Sequence, residues 1–113
     1  MGLYDAAVLV LPKKVGENCY NGMFLGCTSL VNTPKLPAMT LAEHCYESMF
    51  YGCTALTKTP DLPASTLASN CYRVMFSYCS GLIEAMDIIP ATTLGNNCCE
   101  MMFSKCTSLT KAP

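Results

Sequence analysis

The chain has 113 residues, 51% of them hydrophobic and 13% charged, with seven Lys plus Arg against eight Asp plus Glu and a formal net charge of −1. Such a composition argues against intrinsic disorder, which needs few apolar residues and high net charge, and it lacks the basic excess of a nucleic-acid binder. The longest apolar run, Ala6 to Leu11, is six residues where a membrane span needs about twenty. With no basic stretch before it and no small-residue cleavage site after it, this run does not read as a signal peptide.

Taken in order, the chain is a set of repeats. Residues 19–44 read CYNGMFLGCTSLVNTPKLPAMTLAEH and residues 45–70 read CYESMFYGCTALTKTPDLPASTLASN, identical at 16 of 26 positions. A third unit, 71–97, carries one extra residue at Ile88/Ile89, and a fourth, 98–113, stops mid-unit. Upstream, residues 1–18 form a partial unit, in which Val10-Leu11-Pro12 and Val15-Gly16-Glu17-Asn18 match the second half of the pattern. The whole chain, 1–113, thus reads as a single repeat domain.

Each unit divides by its apolar spacing. In Leu56-Thr57-Lys58-Thr59-Pro60-Asp61-Leu62-Pro63 the apolar positions are 1, 4 and 6. This is the strand pattern of a leucine-rich repeat, with prolines at strand ends or where no ladder N–H is needed. From Thr66 to Phe76, apolar Leu67, Cys71, Met75 and Phe76 have the spacing of one helix face. Thr40, Thr66 and Thr93 sit where an N-cap belongs, and Thr40-Leu41-Ala42-Glu43 matches a capping box. A 26-residue period falls within the leucine-rich range. The expected fold class is therefore an α/β repeat: a leucine-rich-repeat solenoid of about four 26-residue units, short parallel strands on one face and helices on the other.

The recurring Cys-Tyr-x-x-Met-Phe-x-x-Cys-Thr-x-Leu, followed by Leu-Pro-Ala, resembles the BspA-like leucine-rich repeats of bacterial surface proteins. The match runs from about residue 10 to 113 and recurs four times. The resemblance implies a curved, cysteine-rich module that binds proteins or host surfaces, on secreted or cell-surface polypeptides of bacteria or on phage-encoded surface proteins. An extracellular or cell-surface location is implied by the family and not by any leader in the chain.

Nine cysteines are the most chemically suggestive feature. Eight form C-x7-C pairs: Cys19/Cys27, Cys45/Cys53, Cys71/Cys79 and Cys98/Cys106; Cys99 stands in the column of Tyr20, Tyr46 and Tyr72. No C-x2-C metal motif occurs. Eight residues along a helix span about 12 Å, too far for a bridge within a pair. The thiols are expected to be small buried hydrophobes, with a redox or metal-binding protein as the competing reading. His44, the only histidine, falls in the column of Asn18, Asn70 and Asn97 and is expected to fill a structural slot. Paired carboxylates, phosphate-binding glycine loops and nucleophile elbows are absent, so no catalytic residue, cofactor or metal is assigned.

Function is expected on the variable strand positions: Asn32, Thr33, Lys35; Lys58, Thr59, Asp61; Glu84, Ala85, Asp87; and Lys111. These are small, polar and of mixed sign, suited to an unidentified protein or host-surface ligand. The reading is a non-catalytic binding or adhesion-type module. An alternative is a structural segment that stacks on further repeats or on itself through uncapped repeat ends, forming a homo-oligomer.

Overall fold

The computed structural model describes residues 5–111; residues 1–4 of the expected partial unit 1–18, and residues 112–113 of the unit 98–113, lie outside it. Among the described residues there is no helix and no extended strand. The expected α/β leucine-rich-repeat solenoid, with helices on one face and parallel strands on the other, does not form. A different periodic backbone takes the place of each expected helix.

That backbone is a run of consecutive turns over residues 17–26, 43–52, 69–78 and 96–105. In the first run, the N–H groups of Cys19, Asn21, Met23, Leu25 and Cys27 each donate three residues back, to the carbonyls of Gly16, Asn18, Tyr20, Gly22 and Phe24, at 3.0–3.2 Å. The intervening N–H groups of Asn18, Gly22, Phe24 and Gly26 donate across to Glu43, Glu47, Met49 and Tyr51 at 2.7–2.9 Å. In this run odd-numbered amides close turns and, Tyr20 apart, even-numbered amides join the next unit; beside Tyr20 the join runs the other way, from Tyr46 N–H to the Cys19 carbonyl at 3.2 Å. Asn18, Tyr20, Gly22 and Gly26 hold φ of 62°, 62°, 64° and 72°. A left-handed third residue is the signature of the type II turn.

Helix formation loses here for a physical reason. A run of about ten residues is too short to be a stable helix on its own, and Gly22, Gly26 and Gly52 lower its propensity further. A helix would also turn every amide back on itself, whereas alternation leaves half of them to bond the neighbouring unit. Thr40, Thr66 and Thr93, expected as N-caps, instead form parallel bridges with one another.

On the opposite side, the expected strands are reduced to single parallel bridges, Asp5 to Asn32, Lys58 to Glu84 and Glu84 to Lys111. Pro34, Pro60 and Pro90 lack the N–H that a continuing ladder requires. Bridges in this column therefore recur at one position per unit without extending.

Bridged residues lie 26 or 27 apart, so equivalent side chains stack in columns. Phe24, Phe50, Phe76 and Phe103 are stacked with centroids 5.5, 5.5 and 5.6 Å apart. Tyr20, Tyr46 and Tyr72 follow at 5.8 and 6.2 Å. Cys45, Met49, Phe50, Cys53, Leu56, Cys71, Met75, Phe76, Cys79 and Leu82 are wholly buried. The extra residue of the third unit falls on the bridge side: the amides of Asn70, Tyr72, Val74, Phe76 and Tyr78 reach Asn96, Cys98, Glu100, Met102 and Ser104, one residue further along than in the units before, with the turn ladder unbroken.

Candidate interaction face

The bridge side carries the expected site residues. Lys58, Thr59, Asp61, Glu84, Ala85, Met86 and Asp87 line one shallow cleft. Thr33 and Lys35 line a second with Pro34, Leu36, Pro37, Pro60, Asp61 and Pro63, and Asp61 belongs to both. Asn32, Lys35, Lys58, Asp61, Asp87 and Lys111 are exposed, Thr33, Thr59 and Glu84 half-buried. Ala85 points inward and is 3% exposed, so it shapes the cleft floor and offers a partner almost no surface.

Charges on this face alternate along the stacking direction. Glu84 sits between Lys58 at 4.0 Å and Lys111 at 3.9 Å, and Lys111 reaches Asp87 at 3.0 Å. The carboxylates of Asp87 and Glu84 raise the Lys111 ammonium above the ordinary lysine range. Lys35 and Asp61 have no ion-pair partner among the described residues. Inside the cleft the Thr59 hydroxyl is buried without a hydrogen-bond partner.

A second charged strip, not anticipated from the sequence, runs along the turn side. Arg73 bridges Glu47 at 3.2 Å and Glu100 at 2.8 Å; Asn21 donates to Glu47 at 3.4 Å, and His44 Nδ1 lies 2.7 Å from the same carboxylate. Asn21, Glu47, Arg73 and Glu100 occupy one position of the repeat, which could have flagged them. His44 shares φ of 63° with Asn70 and lies close to Asn18 at 62° and Asn97 at 57°. Its column holds left-handed backbone, which Asn tolerates better than most residues that carry a side chain.

The cysteines act as donors between units. Cys45 Sγ donates to the Gly16 carbonyl at 3.0 Å, Cys71 to Ala42 at 3.3 Å, Cys53 to Phe24 at 3.2 Å, Cys79 to Phe50 at 3.0 Å and Cys106 to Phe76 at 3.0 Å. A thiol fits a close-packed column while bonding a carbonyl of the preceding unit, which alanine or valine could not do. Burial raises their pKa values, Cys71 to about 11 and Cys53 and Cys79 to about 12. Cys99, although exposed as a residue, is also pushed to about 12 by desolvation and by its neighbour Cys98. These groups are thiols at neutral pH, whereas nucleophilic and metal-binding cysteines work as thiolates. Among the described residues no group of three His, Cys, Asp or Glu is placed to hold a metal ion, and no helix is long and apolar enough to cross a membrane.

No family model, curated protein or solved structure matches the chain.

Proposed function

We propose that this chain is a non-catalytic binding module that engages a protein or host-surface ligand through its bridge-side face. The observation carrying this reading is the convergence of the variable, charged positions on two adjoining clefts that share Asp61. The buried columns hold the backbone of that face rigid, so a partner meets preorganised charges and loses little to ordering. Lys35 and Asp61 are the groups with charge left to offer; Lys58, Glu84, Asp87 and Lys111 must exchange internal ion pairs for external ones. The BspA-like motif supports the same function class, and with it a bacterial or phage surface setting. No cofactor and no nucleic acid enter the mechanism.

The test is binding of the immobilised chain to purified mucosal and extracellular-matrix glycoproteins, measured by interferometry. Charge reversal at Lys35 and Asp61 is expected to weaken the best interaction by about tenfold or more, the scale of a desolvated polar contact. Absence of binding across the panel, or binding indifferent to reversal at Lys35, Lys58, Asp61 and Asp87, would sink this reading. A second reading, a structural segment that associates with itself, is favoured by backbone groups on the two outer layers of the stack that meet no partner among the described residues.

A further inference from the structure

Apart from the rung from Tyr46 N–H back to Cys19 O, the turn ladder runs in one direction. In the third unit the N–H groups of Asn70, Tyr72, Val74, Phe76 and Tyr78 all donate to carbonyls of the fourth, at 2.8–3.0 Å. The corresponding groups of the fourth unit are Asn97, Cys99, Met101, Phe103 and Lys105, and none meets an acceptor among the described residues. Asn97, Cys99, Met101 and Lys105 are exposed. At the other side of the stack, the carbonyls of Glu17, Asn21, Met23 and Leu25 occupy the positions that accept within the ladder, and they receive no donor among the described residues. One outer layer is a row of donors and the other a row of acceptors with the ladder's two-residue spacing, interrupted at Cys19, whose carbonyl already accepts from Tyr46 N–H at 3.2 Å.

Side chains on the two layers match in the same register. Leu94 is 65% exposed, whereas Leu41 and Leu67 of its column are 3% and 2% exposed, and the position facing it on the acceptor layer is Val15. Met23 is 41% exposed against 0% for Met49 and Met75. Glu100 ends the column that Asn21 begins, and Asn21 already donates to Glu47, the column's other glutamate.

We propose that copies of this chain stack head to tail, with the donor layer of residues 97–105 pairing with the acceptor layer of residues 17–25 on the next copy. Ladder register would set Asn97 N–H on Glu17 O, Met101 on Asn21, Phe103 on Met23 and Lys105 on Leu25. The contact is heterologous and non-closing, so it generates filaments of indefinite length. Lys111 is already bridged to Glu84, where Asp5 of an incoming copy would fall, so that copy's first described residues must lift away. This opposes docking and makes the association weak and concentration-dependent. The inference rests on the self-associating reading and is independent of the bridge-side face.

The experiment is sedimentation velocity on the full chain up to about 1 mM, the weak end of specific association. Mass is expected to rise continuously with concentration. Met23→Glu on the acceptor layer and Leu94→Glu on the donor layer, both at positions already partly or largely open to water, are each expected to abolish that rise while leaving the thermal transition in place. Mixing the two variants pairs the one intact donor layer with the one intact acceptor layer, giving a 1:1 dimer that grows no further. A wild-type chain that stays monomeric throughout overturns self-association altogether. If the wild type associates but the mixed variants form no dimer, association occurs by another surface and the head-to-tail geometry is overturned. Should Met23→Glu unfold the chain, Leu25→Glu, at a side chain 53% exposed on the same layer, replaces it.

Discussion

At the scale of single residues, the backbone asks for left-handed φ at positions where side chains resist it. In the first unit Asn18, Gly22 and Gly26 meet the demand readily and Tyr20 less so, but the column of Gly22 holds Ser48, Val74 and Met101 in later units, with φ of 58°, 49° and 52°. Valine is the worst placed, because a β-branched side chain crowds its own carbonyl there. Val74→Asn is expected to raise stability by about 1 kcal/mol, read as a higher midpoint in urea. Tyr46 and Tyr72 have the converse problem: their rings are 1% and 0% exposed, and their hydroxyls are buried with no partner. Burial holds both phenols protonated well above the ordinary tyrosine range. The stacked ring supplies the packing and the hydroxyl works against it. Tyr72→Phe is therefore expected to leave stability unchanged or raise it by about 1 kcal/mol, where an ordinary core truncation would lower it.

At the scale of the element, amides in one turn run should behave in two classes according to their partners. Hydrogen exchange followed residue by residue is expected to show Asn70, Tyr72, Val74, Phe76 and Tyr78 strongly protected, and Asn97, Cys99, Met101, Phe103 and Lys105 exchanging fast in dilute solution. Equal protection in the two runs would contradict the ladder. This element is also where the sequence misleads. The spacing of Leu67, Cys71, Met75 and Phe76 fits a helix face, yet the same four-residue spacing arises in a turn run that buries two adjacent residues and leaves the next two partly open, as Cys71-Tyr72, Arg73-Val74 and Met75-Phe76 do. A better signal lies in Asn18, Gly22 and Gly26, turn formers four apart, but it fades in later units where Val74, Tyr78, Met101 and Lys105 fill those columns. The buried columns and the shared face of Lys35, Asp61 and Asp87 were legible because they depend only on the period. Whether a column stacks through helices or turns depends on hydrogen bonds between units, which no single unit displays. The Arg73 strip was missed because Asn21, Glu47, Arg73 and Glu100 look unrelated until stacked.

At the scale of the whole molecule, buried thiols tie stability to pH. An unfolded cysteine ionises near pH 8.5, whereas Cys71 holds its proton to about pH 11 and Cys53 and Cys79 to about pH 12 in the folded chain. Between those values the unfolded state binds fewer protons than the folded one, so stability falls as pH rises. Full stability is expected below about pH 8.5, with progressive loss from there towards pH 12, checked by urea denaturation under a reducing agent at stepped alkaline pH. The extra residue beside Ile88 shows a different kind of tolerance. On the turn side, adding one residue would exchange the amides that close turns with those that reach the neighbouring unit, and every contact beyond that point would fail. Outside the turn runs, where pairing is confined to isolated bridges such as those at Glu84 and Thr93, an added residue alters only the local path between two fixed points. New lengths and sequences can therefore accumulate beside Asp61 and Asp87 without disturbing the framework, and a lineage of such chains could vary the surface presented there by insertion as readily as by substitution.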